Sequence, residues 1–395
     1  MCFKQAVVLA AGEGERLRPF TASKPKVMIK VANKPILQYV VEALERNGIR
    51  RIIFVVGYKK EKIMDYFEDG KALGVGIEYV VQKHLLGTGD ALKQAENKTD
   101  DRFLVLSGDN VIEEDTLSES ELLDVSETEN AILIKVHTDV SKYGVVLVKN
   151  GLVKDIIEKP SEEISNLVNT GIYAFGEEIY EFLEEELTSG LLSMVHQGKR
   201  VKACETHGAW LDAVYPWDVL RLNDIVLKEN PAKVEGKIER GVTIDGRVSI
   251  GKNSVIRANS YVKGPVIIGE NCEIGPNACI FPSTSIGTDV TIGAFTEIKN
   301  SVLTDMVKIG SFSSIQDSIF DMGSYAEGGF IARSEEAEIE IGGEHHRVKV
   351  GAMVGEYCEM GSNVIAHPGT IIGNRCRIKS MKELSGKIPD GSWVV

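Results

Sequence analysis

Two close glycines and three cations follow a short apolar run. The segment reads Leu9-Ala10-Ala11-Gly12-Glu13-Gly14-Glu15-Arg16-Leu17-Arg18-Pro19, and Pro25-Lys26 comes soon after it. Without Cβ atoms, Gly12 and Gly14 let backbone N–H groups approach a phosphate. An Arg and a Lys beside such a turn suit a polyphosphate whose centre develops charge during reaction. The loop is not a Walker A loop, because no GxxxxGK[ST] follows, and Leu17 stands where a dinucleotide fingerprint needs its third glycine. Taken singly, Arg16 and Lys26 are equally well read as solvated surface charges.

Further groups lie downstream. Gln82 precedes Gly87-Thr88-Gly89, and its amide edge suits a base while the glycines permit close backbone approach. Leu104-Val105-Leu106-Ser107-Gly108-Asp109 sets a carboxylate just past a buried-strand run. A hard cation shared with phosphate oxygens is one reason for a carboxylate there, and Asp212 after Trp210-Leu211 is a second candidate ligand. Helix capping is the competing explanation for both. Tyr143-Gly144, Glu158-Lys159-Pro160 and Asn169-Thr170-Gly171 supply donors and acceptors suited to a sugar. Neighbours in an extended segment point apart, so Glu158 can face hydroxyls while Lys159 reaches a phosphate, or one of them is solvated.

These residues need elements to hold them. The chain has 395 residues, and at about 150 per domain this gives two to three domains. A net charge of −13 opposes a nucleic-acid binder. No apolar run reaches the roughly 18 residues of a membrane span, and the N-terminal start lacks a signal-peptide cleavage region. The six cysteines form no CxxC, which argues against a zinc knuckle or disulfide scaffold and favours a cytoplasmic chain with reduced thiols.

The first half alternates apolar strands (near 4–10, 51–56, 77–81 and 103–106) with helical segments (36–47, 61–67, 89–96 and 217–227). That pattern argues an α/β domain with a parallel sheet covered on both faces, whose ligands bind at the carboxyl ends of the strands. A change of grammar at Glu229-Asn230-Pro231 divides domain 1–230 from domain 231–395. In the second domain an apolar residue recurs every six positions, from Ile250 to Ile298. It resumes after a five-residue step at Leu303 to Ile315, and again from Val354 to Ile378. Three sixes close one triangular coil, which is the signature of a parallel β-helix. Cys272, Cys358 and Cys376 occupy one small inward position of the repeat, so packing explains them. Residues 323–351 break the rhythm, and a hairpin inserted near 328–350 is expected to project from one face. The tail from Ser385 leaves the register and is expected to pack as a cap or against a neighbouring subunit.

Residues 1–230 resemble the sugar-1-phosphate nucleotidylyltransferases, and the whole chain resembles the archaeal two-domain bifunctional nucleotidylyltransferase/acetyltransferases. The resemblance rests on Gly12-x-Gly14-x-Arg16-Leu17-x-Pro19-x-Thr21, Pro25-Lys26, Gly87-Thr88, Gly108-Asp109, Glu158-Lys159-Pro160, Asn169-Thr170-Gly171 and Trp210-x-Asp212 together. It implies a Rossmann-like mixed sheet followed by a left-handed β-helix. It also implies roles. Ala10, Ala11 and Gly12, with Gln82 and Gly87, would hold the base. Arg16 would hold the β- and γ-phosphates, and Lys26 the α-phosphate. Asp109 and Asp212 would hold Mg²⁺. Glu158 and Asn169 would hold sugar hydroxyls beside Gly144, and Lys159 the sugar phosphate.

The implied reaction joins an NTP to a hexose 1-phosphate and releases pyrophosphate. UTP or dTTP is favoured, with glucose 1-phosphate or N-acetylglucosamine 1-phosphate. The nucleophile is already anionic near neutral pH, since a phosphate monoester has its second pKa at about 6, so no general base is needed. For the second domain the resemblance implies a homotrimer and acetyl-CoA-dependent acetylation of glucosamine 1-phosphate. The family's Asn and His are absent from Gly329–Glu336, which leaves His345, His346 or His367 as a base, or the second activity lost. Mannose-1-phosphate guanylyl transfer and a non-catalytic scaffold are the remaining alternatives. The intact set of Arg16, Lys26, Asp109 and Asp212 argues against a scaffold.

Overall fold

The computed structural model describes residues 3–126, 129–138, 140–160, 162 and 164–395; Cys2 lies outside the described residues. The chain divides into two compact units. One comprises the residues through Glu13, Lys24–Met28 and Pro35–Asp212; the other comprises Gly14–Ser23, Ile29–Lys34 and Ala213–Val395.

The first unit is built on a nine-stranded sheet. Its order is Gly76–Val81, Arg51–Val56, Gln5–Ala10, Arg102–Ser107, Leu167–Gly176, Asn130–Val136, Val201–Glu205, Leu152–Glu158 and Gly144–Lys149. The first four strands run parallel, as their continuous apolar runs predict. Leu167–Gly176 is antiparallel to both of its principal neighbours, so the sheet as a whole is mixed. Both faces are covered: Val8 and Val56 join one apolar cluster, while Val7 and Val55 join the other. The helix Ile36–Arg46 buries Leu37, Val40, Val41 and Leu44 on one stripe, and Gly48 in the left-handed region follows its end. The expected helix at 89–96 is shorter, Thr88–Lys93, and gives way to a 3₁₀ turn at Glu96–Lys98.

The repeat unit is a parallel β-helix whose three faces are stacks of nine, nine and eight short strands. Its register advances by 18 residues, as in Val248↔Val266 and Ile274↔Ile292. The anchors Ile256, Ile274, Ile280, Ile286, Ile292 and Ile298 are all fully buried. Corners take the left-handed conformation, and Asn253, Asn259, Asn271, Asn277 and Asn363 occupy them at φ between 54° and 60°, where Asn costs least after Gly.

Two expectations are corrected. The rhythm does not stop at residue 323, because Ala326 and Ala332 still point into the core and the interruption is the antiparallel hairpin Glu335–Ile341 and Glu344–Val350. A small alanine at an anchor position disguises the repeat. The tail steps by 16 residues where the coil before it steps by 18, as in Ile372↔Ile388 after Val354↔Ile372, and Lys387–Ile388 and Trp393–Val394 extend two of the three faces. The hairpin does not project freely from the repeat unit. Gly369 leaves room for Ala337 and Ile339, since a Cβ there would lie 2.7 Å from the Ala337 Cβ.

The inward cysteines have a structural part. The Cys272, Cys358 and Cys376 thiols lie 3.0, 2.9 and 3.1 Å from the carbonyls of Gly287, Gly373 and Pro389. Burial pushes the Cys358 thiol up to about 12 and the Cys204 thiol to about 11. Since the thiolate is the reactive form, Cys204, Cys272, Cys358 and Cys376 are expected to resist a disulfide-exchange reagent in the native protein and to react on denaturation. Mass mapping checks this, and rapid native labelling of these four would contradict it.

Candidate functional site

The strand Arg102–Ser107 ends at Gly108, where a Cβ would meet the Leu9 carbonyl at 3.0 Å, so only glycine lets the chain turn so closely beside the first strand. Asp109 follows. The short strand Asn110–Ile112 then pairs antiparallel with Trp210–Asp212, placing Asn110 opposite Asp212. This two-stranded pair, rather than the main sheet, brings Asp109 and Asp212 together.

Both carboxylates meet Lys26. Its Nζ donates to Asp109 Oδ2 at 2.5 Å and to Asp212 Oδ1 at 2.8 Å, and its side chain is only 14% exposed. Ser107 Oγ donates to the other oxygen of Asp109 at 2.8 Å and fixes the carboxylate plane. Burial opposes charge on Lys26, but the two carboxylates outweigh it and hold the ammonium above its usual range. Burial likewise opposes charge on Asp109, and Lys26 with Ser107 overcomes it, keeping the carboxyl below its usual range. Lys26 and Asp109 are therefore both charged at neutral pH.

The carboxylate pair bears on a metal. Among the described residues no group of three or more His, Cys, Asp or Glu is arranged to hold an ion. Two carboxylates converging on one cation, with phosphate oxygens completing the shell, nonetheless suit a hard divalent ion. The donor set fits.

Gln82 and Ala10, expected at a base, stand at the carboxyl ends of the parallel strands Gly76–Val81 and Gln5–Ala10. Gln82 is buried, and its Nε2 donates to Gly87 O at 3.0 Å and to Asp90 Oδ2 at 2.8 Å. Its amide nitrogen therefore organises the loop, and Oε1 is the edge left for a base. Gly87 and Gly89 are required by a neighbouring segment of the chain. A Cβ on either would lie 2.3 or 2.2 Å from the carbonyls of Glu185 and Glu184, so the close approach is to that segment. Thr88 Oγ1 donates to Glu186 Oε2 at 2.7 Å and accepts from Leu187 N. Gly12 has open space beside it, and Ala10 and Ala11 are buried.

The residues expected at a sugar lie on and beside the bulged strand Leu167–Gly176. Glu158 pairs with Gly144, where a Cβ would lie 2.9 Å from Glu158 Oε1. Lys159 takes φ +44°, with its N–H donating to Tyr143 O. The register shifts between Asn169 and Tyr173, around Gly171 at φ +74°, and such bulges re-aim side chains. Asn169 Nδ2 donates to the Tyr173 hydroxyl at 2.8 Å and its Oδ1 accepts from Gly171 N. Tyr143 packs edge-on against Trp210 at 5.3 Å, and Trp210 Nε1 donates to Thr170 O.

Gly14, at φ +78°, opens the 3₁₀ turn Glu15–Leu17 that carries Arg16, and Thr21 Oγ1 donates to the Gly14 carbonyl. Burial and the Glu344 carboxylate push the Tyr215 phenol up to about 12, against the opposing field of Arg16. The histidines are dispersed. His345 lies 3.0 Å from Glu338 on the hairpin, His346 packs against Tyr215 and Trp217, and His367 Nε2 sits 3.3 Å from Glu383. Ser107, Tyr173 and Glu186 were not singled out from sequence. Ser107, two residues before Asp109 on the same strand, could have been, whereas Tyr173 and Glu186 carry no local signal.

In metal-free protein, Lys26→Met leaves two carboxylates facing each other. The expected loss is about 1–2 kcal/mol after allowing for partial exposure, read as a thermal midpoint a few degrees lower. Millimolar Mg²⁺ is expected to raise the variant's midpoint more than that of the parent, and equal shifts would contradict a shared cation position.

The nucleotidyl transferase family model matches residues 5–227, and that of a GMPPB C-terminal domain matches residues 262–339. The bifunctional protein GlmU of Methanococcus maripaludis strain S2 is 36% identical, covering 98% of this chain and 96% of its own. A bifunctional sugar-1-phosphate nucleotidylyltransferase/acetyltransferase of Sulfurisphaera tokodaii is 34% identical, covering 95% of each. Among solved structures, a UDP-glucose pyrophosphorylase complexed with UDP-glucose superposes with a TM-score of 0.51 at 26% identity, over 58% of this chain and all of that one. The family's mechanism is divalent-metal-dependent, in keeping with the carboxylate pair. By the family model and by relatives alike across nearly its whole length, the chain belongs to the nucleotidyl transferase family, as a two-domain sugar-1-phosphate nucleotidylyltransferase of the GlmU type.

Proposed function

We propose that the chain joins UTP or dTTP to glucose 1-phosphate or N-acetylglucosamine 1-phosphate with Mg²⁺. The observation that carries this reading is the Lys26–Asp109–Asp212 cluster. A sugar-phosphate oxygen attacks the α-phosphorus in line with the departing oxygen; the new P–O bond forms as the bond from the α-phosphorus to the α,β-bridging oxygen breaks, and pyrophosphate leaves with the broken bond's electrons. Mg²⁺ screens the phosphate charges when bound. Lys26 then exchanges a carboxylate for the α-phosphate, where its fixed charge stabilises developing negative charge. Arg16 holds the β- and γ-phosphates. Glu158, beside Gly144, and Asn169 orient sugar hydroxyls, and Lys159 binds the sugar phosphate. Ala10, Ala11, Gly12, Gly14, Gly87 and Thr88 shape the nucleotide loop. The acceptor edge of Gln82 suits the N3–H of a pyrimidine, which supports UTP or dTTP over ATP.

Acetyl transfer from acetyl-CoA to a sugar amine is a second reading, favoured by the His367–Glu383 pair and by the names of the relatives. His345 beside Glu338 and His367 beside Glu383 each have a carboxylate that would orient a base, at 3.0 and 3.3 Å, and His346 lies 3.6 Å from Glu344. Thiol release from acetyl-CoA with glucosamine 1-phosphate tests it. The stacked, exposed rings of Phe295 and Phe312 support self-association of the β-helix as a homotrimer. The buried thiols suit a reducing cytoplasm. No helix among the described residues is long and apolar enough to cross a membrane.

Pyrophosphate release, crossing four NTPs with glucose, N-acetylglucosamine, glucosamine and mannose 1-phosphates, is expected to single out one pyrimidine pair; release with GTP and mannose 1-phosphate would overturn the substrate assignment. Lys26→Ala is expected to lower kcat far more than it raises the sugar-phosphate KM, whereas raised KM at unchanged kcat would mean uniform binding only. The pH profile follows from the cluster. The depressed pKa of Asp109 gives stability that is present above its ordinary ~4 and lost as pH falls through the lower folded value. The raised pKa of Lys26 gives stability that is present below ~10.4 and lost only above its higher folded value. Between those limits kcat/KM is expected to rise with the substrate's second ionisation at about 6 and then level off.

A further inference from the structure

The two stretches flanking Lys26 are held by coils of the β-helix. On the N-terminal side, the Pro19 carbonyl accepts from Asn374 Nδ2 at 3.1 Å, across 355 residues of sequence. Asn374 is 9% exposed and cannot swing, because its Oδ1 accepts from Glu356 N and its own N–H donates to Asp390 Oδ1, both at 2.7 Å. On the C-terminal side, Lys30 Nζ donates to Asp305 Oδ2 at 2.5 Å. Asp305 is oriented in turn, its Oδ1 accepting from Thr288 N at 3.0 Å. Asn33 Nδ2 donates to Ile286 O at 2.7 Å. Ala32 N donates to Asn223 Oδ1 at 3.0 Å, and the fully buried Asn223 donates onward to Ser283 O at 2.9 Å. Ala32 and Asn33 take φ of 45° and 66°. A conformation unfavourable to alanine persists only where its surroundings over-determine it.

Asp305 and Asn374 each also accept from a backbone N–H of the neighbouring coil, Thr288 and Glu356. What they share is the segment between Pro19 and Lys30, which carries Lys26, and the turn of Arg16 just ahead of it. Electrostatic catalysis requires charges fixed before reaction, and a displacement of about 1 Å can cost about a hundredfold. We propose that Asp305 and Asn374 are positioning residues for nucleotidyl transfer: the repeat coils clamp both flanks of the Lys26 segment, so the β-helix is part of the transferase machinery and not an appended module. This rests on the reading that Lys26 acts at the reacting phosphates.

The test uses the full chain and the preferred NTP and sugar 1-phosphate. Asp305→Ala and Asn374→Ala attack the clamp from opposite sides, and Lys30→Ala with the Lys30→Ala/Asp305→Ala pair closes a double-mutant cycle. Val364→Ala is the control, a fully buried repeat-core residue that makes none of the clamp hydrogen bonds. Each clamp variant is expected to lower kcat about tenfold or more with the sugar-phosphate KM within about threefold, and the pair to be no slower than the worse single variant. Asp305→Asn, which keeps an acceptor for Thr288, is expected to recover part of the loss. Val364→Ala is expected to lower the thermal midpoint while keeping kcat well below it. Parental kcat in folded Asp305→Ala and Asn374→Ala, beside a lost kcat in Lys26→Ala, overturns the clamp alone. Undiminished kcat in Lys26→Ala overturns the reading of Lys26 and the clamp with it. An equal loss in Val364→Ala makes the effect general destabilisation and also overturns the clamp.

Discussion

One ammonium shared by two carboxylates governs the nucleotidyl transferase unit. Lys26 bonds to both Asp109 and Asp212, and it is what holds Asp109 charged against its burial. The carboxylate pair makes the place receptive to a further cation, while the ammonium is kept within reach of an incoming anion. Gly108, Ser107 and the small strand pair exist in their present form because three side chains must meet at one point. A phosphate monoester arrives already ionised near neutral pH, so position and charge are what such a reaction needs from a protein.

The repeat unit solves a different problem. Its inner surface is apolar at the anchors, but small polar side chains stand beside them and stitch successive coils. Ser254 Oγ donates to Gly269 O, Thr296 Oγ1 to Gly310 O and Ser324 Oγ to Gly355 O, at 2.6–3.0 Å. The buried thiols take the same part, so serine, threonine and cysteine are alternatives at one position. Within the stack each coil bonds to the coils on either side, as in other solenoids.

Much of this could be read from the residues. The glycine-rich turn, the carboxylate after a buried strand and the hexapeptide period all have local signatures, and Arg51–Val56 and Ile36–Arg46 form as their apolar patterns dictate. What escaped is what depends on distant partners. Nothing near Gly87 announces the carbonyl of Glu185, and nothing near Asn169 announces the hydroxyl of Tyr173. The antiparallel strands at the centre of the sheet are as apolar as parallel ones, so pattern alone cannot give their direction. Ala326 and Ala332 hid two repeats because alanine fills an anchor without advertising it.

The inserted hairpin leaves the coil after Ala332 and returns before Met353, yet Ile331 still pairs with Ile365 and Ile319 with Met353. The solenoid thus registers chain length only as a remainder after whole turns, and it tolerates a detour whose ends come back to adjacent rungs. Such a rung is a natural docking port for cassettes. Lineages sharing this scaffold can exchange what is mounted there without renegotiating the core, and a designer can do the same.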